Sequence, residues 1–341
     1  MKSSPLTHNL NNSVTASINL VEDHAGRRVV KILNGRNSAE TPREWMASDE
    51  PAHWNYWQRE AHAYKSQLND LIEGTGVRMP RLLKCEQADA QTISLELECL
   101  EGRTGNELTI DDYETIATAW GKAQRRLSEV DLRTSWPWMS TDFISAYGAS
   151  KPIEYAWLRD DALWRAPLIA DNWPDELREG LIFLAGHRED LYNLLASTPQ
   201  VACHLDFWPN NVFVTSDQTV VLVDWAFFGT GAPLEDVGNF IPDAVFDGFQ
   251  PAARFSELAD RMQRAYVAGY GADADIDFER LLYATAVKYV WLGPLLLARA
   301  SKALQTEYGG AHLDDASDQY RERGEVLLHL AQWAERAVSG A

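Results

Sequence analysis

Three polar side chains of types that could support group transfer lie close together in residues 201–214 (VACHLDFWPNNVFV). His204, Asp206 and Asn211 are flanked by apolar residues, and Pro209 favours a tight loop between them. A carboxylate can accept a proton or orient a hydroxyl, and an amide oxygen can bind a hard cation. The alternative is a polar loop in which the histidine and the aspartate only cap a turn.

A second apolar run, residues 220–223 (VVLV), ends abruptly in Asp224 and Trp225. Carboxylates in loops just beyond buried strands are well placed to hold a metal ion. Mg²⁺ prefers oxygen ligands and retains waters, so one carboxylate and one amide would suffice together with phosphate oxygens. The two apolar runs and the polar residues that follow them therefore indicate a candidate magnesium site.

The pattern H-x-D-x-x-x-x-N, followed by a hydrophobic strand and Asp-Trp, resembles the catalytic and metal loops of aminoglycoside phosphotransferases. Choline kinases and related small-molecule kinases share it, and protein kinases carry a distant counterpart. The resemblance implies that Asp206 accepts the proton of the substrate hydroxyl or orients that hydroxyl, while Asn211 and Asp224 bind Mg²⁺. It also implies that His204 braces the loop by hydrogen bonding, and that the phosphoryl donor is ATP or GTP.

Lys31 lies inside a β-rich run, residues 28–33 (RVVKIL), where a charged residue among apolar neighbours suggests a specific role. The family places a lysine here to contact the α- and β-phosphates of the nucleotide, paired with a glutamate on the following helix. Glu60 is well placed for that role, and the ion pair would position the lysine before the nucleotide binds. The alternative puts Lys31 on the solvent face of a hairpin and Glu60 on a solvated helix face.

Residues 97–102 (LECLEG) break the strand pattern and predict a joint between two lobes. By the same resemblance, the Glu98 carbonyl and the Leu100 amide would bind the purine. We expect an α+β, two-lobed, protein-kinase-like fold. Its parts would be a small β-rich N-lobe that binds the nucleotide (residues 1–98), a hinge (99–102), and a larger, mainly helical C-lobe (103–341) that carries the catalytic and acceptor sites.

Two further segments are interpreted through the resemblance. Protein kinases cover the phosphates with a glycine-rich loop, but the turn before the first long strand here is residues 9–13 (NLNNS), which has no glycine. Asparagine and serine tolerate turn geometry and can donate hydrogen bonds. Residues 233–238 (PLEDVG) resemble the segment that follows the metal aspartate, where Asp236 would support the catalytic loop.

The elements that must position these residues follow from periodicity. A hairpin is predicted from residues 14–21 and 28–33 around a turn at 22–26, followed by a loop or short helix at 34–49. Strands are further predicted at 80–83, 92–97, 211–215 and 219–223. Helices are predicted at 54–72, 110–130 (with Thr109 as N-cap), 175–196, 253–270, 278–303 and 316–338.

Composition limits the possible functions. The chain has 341 residues, which exceeds the usual size of a single core, and its net charge of −19 disfavours nucleic acid and anionic membranes as partners. Its three cysteines, Cys85, Cys99 and Cys203, have no metal-ligand spacing and are interpreted as small buried hydrophobic residues in a reducing compartment. Residues 1–12 contain no signal-peptide pattern, and the apolar residues 289–298 are expected to form a buried helix broken at Pro294. We therefore expect a cytoplasmic enzyme.

The acceptor is expected to bind beside Asp206, under the helices of the C-lobe. An acidic chain would attract a cationic acceptor if its carboxylates line a cleft, although the charge could equally serve solubility. An aminoglycoside-type antibiotic, or another metabolite containing an amine or a sugar, is the leading hypothesis, and a neutral sugar alcohol stays possible. A nucleotide-binding pseudoenzyme that acts through protein partners is the other class of function. The residues expected to line the acceptor site are Trp208, Trp225, Asp243, Asp247 and the stretch 289–291.

Overall fold

The computed structural model describes residues 2–24, 26–302 and 315–340, which form a β-rich lobe followed by a larger helical lobe. The β-rich lobe is built on a five-stranded antiparallel sheet with strand order β1-β2-β3-β6-β5. Its strands are β1 (Lys2–Pro5), β2 (Thr15–Asp23), β3 (Gly26–Asn34), β5 (Leu82–Asp89) and β6 (Thr92–Glu98). The expected two-lobed kinase-like fold is confirmed.

The predicted hairpin is present as β2 and β3, and Ala25 in its turn lies outside the described residues. Alternation along β3 turns Lys31 and Leu33 to the same buried face, and Lys31 pairs in register with Leu95 of β6. The lysine therefore points inward, away from the solvent face that the alternative interpretation required. Strand β1 was not predicted, because its short polar sequence carries no strand signal.

The helix predicted over residues 54–72 is two short helices, α1 (Arg59–Lys65) and α2 (Leu68–Ile72). Ser66 between them is extended, and its hydroxyl donates to the Ala63 carbonyl and accepts from the Leu68 amide. This side chain closes the first helix and starts the second. Periodicity alone could not reveal the break, since the apolar residues continue on one face across it.

The helical lobe contains most of the chain. Its main helices are α3 (Ile110–Leu127), α4 (Leu132–Ser135), α5 (Phe143–Ser150), α6 (Asp161–Trp164), α7 (Pro167–Ala170), α8 (Leu177–Gly186), α9 (Arg188–Ser197), α10 (Glu235–Phe246), α11 (Phe255–Tyr270), α12 (Phe278–Ala284), α13 (Leu292–Ala300) and α14 (Ala316–Ser339). The N-terminus of α3 carries the predicted cap, a reciprocal capping box between Thr109 and Asp112.

Two other predicted helices are also interrupted in the structure. The one predicted over residues 175–196 is α8 and α9, which are separated at His187. The one predicted over 278–303 is α12, a 3₁₀ segment Thr285–Tyr289, and α13, and Ala303 lies outside the described residues. Pro294 does not make this break: it lies in the first turn of α13, where a missing amide N–H costs no helical hydrogen bond.

Small strands link the two lobes to the loops that carry the polar motif. In one sheet, β4 (Val77–Arg78) pairs with β9 (Val220–Leu222), which pairs with β8 (Val212–Val214). In the other, β7 (Val201–Cys203) pairs with β10 (Gly229–Gly231). The motif residues therefore sit in the loops between buried strands, as predicted.

The main core lies in the helical lobe and extends beneath the small strands. Cys203 is buried within it, whereas Cys85 and Cys99 are half-buried, so the expectation of burial holds fully for one cysteine; all three are free thiols. One described stretch, Phe278–Ala300, is long and apolar enough to cross a membrane by length and composition, but 72% of its most apolar window is buried inside the protein, as in a core helix.

Candidate active site

The loop that carries Asp206 is held from behind by a buried carboxylate. Asp236, in the first turn of α10, accepts hydrogen bonds from the backbone amides of His204 (2.9 Å) and Leu205 (2.8 Å). It also accepts one from the indole N–H of Trp120 at 2.8 Å. Leu205 has a left-handed backbone (φ 67°), a strained conformation for a branched residue. Asp236 thus fixes the turn that presents Asp206.

Asp206 is oriented by the amide of Asn211. The Asn211 Nδ2 donates to the Asp206 carboxylate at 2.7 Å and to the Asp206 backbone carbonyl at 2.9 Å. The 3₁₀ turn Pro209–Asn211 provides the spacing that brings the two side chains together. Burial and the neighbouring Asp224 raise the pKa of Asp206 to about 7. The carboxylate is thus held in one orientation in a site that favours its taking up a proton.

Asp224 meets Lys31 and Glu60 at the junction between the lobes. The Lys31 ammonium lies 2.8 Å from Asp224 and 2.7 Å from Glu60. Although burial opposes the effect, Lys31 lowers the pKa of Asp224, and these carboxylates in turn raise the pKa of Lys31. Burial raises the pKa of Glu60 to about 7 in spite of the lysine. The structure thus brings together three residues that are far apart in sequence, in the pairing expected for Lys31 and Glu60.

His204 is a support within this loop. Its ring is buried, and Nε2 lies 3.0 Å from the Val223 carbonyl, one residue before Asp224. Burial lowers the pKa of His204 to about 4, so the ring is neutral and Nε2 donates to the carbonyl. The histidine therefore ties the Asp206 loop to the Asp224 loop.

The donor set suits a magnesium ion. Asn211 uses its amide nitrogen for Asp206, which leaves its side-chain oxygen as an acceptor, and Asp224 uses only Oδ1 for Lys31. Both residues supply hard oxygen atoms, and two such ligands leave room for waters and phosphate oxygens. No group of three or more His, Cys, Asp or Glu side chains suited to a metal occurs among residues 2–24, 26–302 and 315–340. Asn211 and Asp224 would therefore hold such an ion together with ligands from outside these residues.

The proposed hinge lies at the end of the sheet. Glu98 is the last residue of β6, and its side chain binds the Arg78 guanidinium and the Arg81 amide. Leu100 follows in a stretch without regular structure, after which Arg103 pairs through its backbone with Val214. Their assignment as purine contacts stays a prediction.

A cavity of about 420 Å³ opens on Asp206 and Asp224. Asn9, Asn11 and Asn12 of the predicted phosphate loop line it as well. The expected acceptor residues that line it are Trp208, Asp243, Asp247, Tyr289 and Trp291. Trp225 does not: it is fully buried and donates its indole N–H to the Leu222 carbonyl at 2.8 Å, so its assignment to the acceptor site was wrong.

Four cationic residues of this cavity were missed by the sequence interpretation: Lys151, Lys288, Arg299 and Arg323. Lys288 lies 3.6 Å from Asp243, which also accepts a hydrogen bond from the Tyr289 hydroxyl at 2.7 Å. Lys288 could have been suspected, because it is a lone charge within the apolar run 286–292. No sequence signal marks the other three.

Arg59, which precedes Glu60 on α1, was also missed. It is fully buried, and its five N–H groups donate to five backbone carbonyls. Those carbonyls belong to Pro51, His53, Trp54, Trp138 and Ala226. Since Ala226 follows the Asp224 loop and Trp138 belongs to the helical lobe, Arg59 anchors the helix of Glu60 across the junction between the lobes.

The family model of the phosphotransferase enzyme family matches residues 17–282. The chain belongs to this family. The match spans Lys31, Glu60, Asp206, Asn211 and Asp224, and the chain is accordingly a small-molecule kinase. No curated protein sequence is significantly similar to this phosphotransferase.

Solved structures of small-molecule kinases share its fold. Spectinomycin phosphotransferase APH(9)-Ia, in complex with ADP and spectinomycin, is 14% identical with a TM-score of 0.56, covering 98% of this chain and 94% of that one. Amicoumacin kinase hAmiN, in complex with AMP-PNP, Ca²⁺ and Ami, is 10% identical with a TM-score of 0.55, covering 99% of this chain and 88% of that one. A thermostable mutant of aminoglycoside phosphotransferase APH(4)-Ia, in complex with AMP-PNP and hygromycin B, is 11% identical with a TM-score of 0.50, covering 97% of this chain and 94% of that one. At these identities the likeness extends to the fold alone.

Proposed function

We propose that this phosphotransferase transfers the γ-phosphoryl group of ATP or GTP, with Mg²⁺, to a hydroxyl group of a small molecule. The observation that carries the proposal is the position of Asp206. The Asn211 amide nitrogen holds its carboxylate at 2.7 Å, and Asp206 and Asp224 both line a cavity of about 420 Å³. A carboxylate in that position reaches an acceptor hydroxyl on one side while the metal residues face the phosphates on the other.

The transfer step assigns one task to each residue. The acceptor oxygen bonds to the γ-phosphorus, the bond to the β–γ bridging oxygen breaks, and the hydroxyl proton passes to Asp206 as the nucleoside diphosphate leaves. Asn211 keeps the carboxylate oriented, and His204 and Asp236 hold the loop. Orientation of this kind removes much of the entropy cost of bringing two reactants together.

The donor is held by residues of both lobes. Lys31 would bind the α- and β-phosphates, with Glu60 as its partner, and the Glu98 carbonyl and Leu100 amide would bind the purine. Asn211 and Asp224 would hold Mg²⁺, which when bound neutralises charge on the phosphates. AMP-PNP and ADP in the related solved structures support a nucleotide donor.

The acceptor is proposed to be a small molecule that carries a hydroxyl group. Spectinomycin and hygromycin B in the related structures support an antibiotic of the aminoglycoside type or another sugar- or amine-containing compound. A cytoplasmic location, without nucleic acid or membrane partners, completes the proposal.

The roles of Asp206 and Asp224 are separable by experiment. We expect Asp206→Ala to lower turnover by orders of magnitude with little change in nucleotide affinity, because Asp206 acts on the acceptor. Asp224→Ala should instead severely weaken binding of Mg²⁺-ATP, measured by titration calorimetry, because it removes the metal carboxylate. Asp190→Ala is the control, since this exposed carboxylate pairs only with His187 among the described residues.

Each outcome bears on a different part of the proposal. Turnover that persists in Asp206→Ala would refute the catalytic assignment, and normal Mg²⁺-ATP binding by Asp224→Ala would refute the metal assignment. Tight Mg²⁺-ATP binding by the wild-type chain without transfer to any of a panel of amines and sugars would favour the pseudoenzyme alternative. The joint presence of Lys31, Glu60, Asp206, Asn211 and Asp224 supports activity, since binding alone would not need Asp206.

A further inference from the structure

An unusual amine lies in the wall of the acceptor cavity. Lys151 follows α5, and its Nζ lies 3.5 Å from the ring centre of Tyr147, 4.3 Å from that of Trp45 and 5.0 Å from that of Trp291. All four side chains are half-buried, and all four line the cavity that opens on Asp206. The rings come from both lobes, so the amine is fixed in position by faces that attract a cation.

Lys151 has no carboxylate within ion-pair distance in the described part of the chain. Burial lowers the pKa of Lys151 to about 7; Glu44 opposes this shift without forming an ion pair, and Lys288 adds to it. By contrast, Lys31 in the same cleft has two carboxylates within 2.8 Å, and its pKa is raised. An anion beside Lys151 would therefore gain a charge-assisted hydrogen bond that the protein itself does not provide.

The surrounding wall carries cations as well as the carboxylates of Glu44, Asp206, Asp224, Asp243 and Asp247, although the chain as a whole has a net charge of −19. Lys288, Arg299 and Arg323 line the same cavity as Lys151. Of the two carboxylates expected to attract an amine, Asp243 is already held by Lys288 and the Tyr289 hydroxyl. The pKa of Asp247 is raised to about 7 by burial and by Asp243, which weakens its negative charge at neutral pH.

We infer that the acceptor carries an anionic group that binds the Lys151 ammonium, at a distance from the hydroxyl that Asp206 receives. This inference rests on the proposed function and specifies its acceptor. An anion would bind an amine that the three rings already hold in place, so little ordering cost opposes binding. An acceptor ammonium at the same place would be repelled by Lys151 and Lys288, or would have to displace Lys151 from the rings.

Matched acceptors test the inference. We would measure nucleoside diphosphate release with ω-hydroxycarboxylates of several chain lengths, the corresponding neutral hydroxyamides, and the corresponding amino alcohols. We expect the wild-type enzyme to have the highest kcat/KM for the carboxylates. Lys151→Met should lower that value by about 10- to 100-fold through KM, the range for a hydrogen bond to a charged group. The amides should change by less than about threefold, because a neutral group makes no such bond.

Two further variants test whether the charge of Lys151 sets the preference. Lys151→Glu should reverse the preference, so that amino alcohols become better acceptors than carboxylates. Lys122→Met, an exposed lysine of α3, should leave all three series unchanged. A variant of Lys151 that lowers stability but keeps the wild-type preference would overturn the inference, because it would show a structural role only. A wild-type preference for amino alcohols that increases in Lys151→Met would also overturn it, by showing that the rings receive an acceptor cation.

The inference can fail separately from the proposed function. Titration calorimetry with the same compounds, on protein loaded with Mg²⁺-AMP-PNP, measures binding without transfer. Carboxylate binding that depends on Lys151 would support the inference even if no compound were phosphorylated, and only the proposed transfer would then fail. If the carboxylates, amides and amino alcohols bound with equal affinity, the inference would be refuted even if transfer occurred.

Discussion

Arg59 is the residue whose replacement should affect both the stability and the nucleotide site of the phosphotransferase. Its guanidinium is fully buried without a carboxylate partner among the described residues, and each of its five N–H groups donates to a backbone carbonyl. Two of the acceptors, Trp138 and Ala226, belong to segments of the helical lobe. We expect Arg59→Met to loosen the junction between the lobes.

The size of the effect follows from the hydrogen bonds that are lost. Each hydrogen bond from a charged donor contributes about 1.5 kcal/mol after desolvation is included, so five independent bonds would contribute about 7 kcal/mol. The five bonds share one side chain and are not additive, and burial, which lowers the pKa of Arg59 to about 9, opposes its charged form. We therefore expect Arg59→Met to lower the free energy of unfolding by about 3 kcal/mol or more. The stability of Arg59→Lys should lie between those of the wild-type chain and Arg59→Met, because an ammonium has three donors for five carbonyls.

Urea unfolding followed by circular dichroism measures the first effect, and the KM for ATP measures the second. We expect the KM to rise severalfold in Arg59→Met, because Glu60 is the next residue of α1 and holds Lys31 at 2.7 Å. Arg264→Met is the matched control: its ion pair with Asp260 is exposed on both sides and should contribute less than about 1 kcal/mol. If Arg59→Met were no less stable than Arg264→Met, with an unchanged KM, the anchoring role would be refuted.

Two buried carboxylates of α10 give further predictions. Asp236→Ala leaves the amides of His204 and Leu205 without acceptors, so we expect a loss of about 2–4 kcal/mol and a lower kcat at unchanged KM for ATP, with partial recovery in Asp236→Asn. The pKa of Glu235 is raised by burial from 4.5 to about 8, so its contribution to stability is complete below pH 4.5 and is lost as the pH rises towards 8. Urea unfolding should therefore show Glu235→Gln to be more stable than the wild-type chain at pH 8.5 but not at pH 4.5. If the free energies of unfolding of the two proteins changed equally with pH, this role of Glu235 would be contradicted.

The parts of the fold that the sequence predicted are those with strong local signals. The hairpin of β2 and β3 follows from alternating β-branched residues around a turn, and the cap at Thr109 follows from local chemistry. The breaks at Ser66 and within Thr285–Tyr289 were missed, because apolar periodicity continues through them. A single serine hydroxyl that bonds both flanking turns can end a helix without altering its pattern.

Some residues of the candidate site could likewise be predicted from the sequence, and others could not. Asp206, Asn211 and Asp224 stand in one short motif, so their proximity could be expected before the fold was known. Arg59 could not be found, because its partners are backbone carbonyls, and a carbonyl carries no side-chain signature in the sequence. Lys151 could not be found either, since the rings around it come from distant parts of the sequence, such as Trp45 and Trp291.

The acceptor shows why net charge is a weak guide to a binding site. The value of −19 sums over the whole surface, whereas an acceptor meets only the charges that stay unpaired in one cavity. Asp243 contributes to the sum in full, yet within the cavity Lys288 lies 3.6 Å from it and the Tyr289 hydroxyl 2.7 Å from it. Lys151 counts as one cation among many in the sum, yet in the cavity it faces the acceptor without a carboxylate of its own among the described residues. Because pairing rather than number decides the local charge, an acidic chain can present a cation to its substrate.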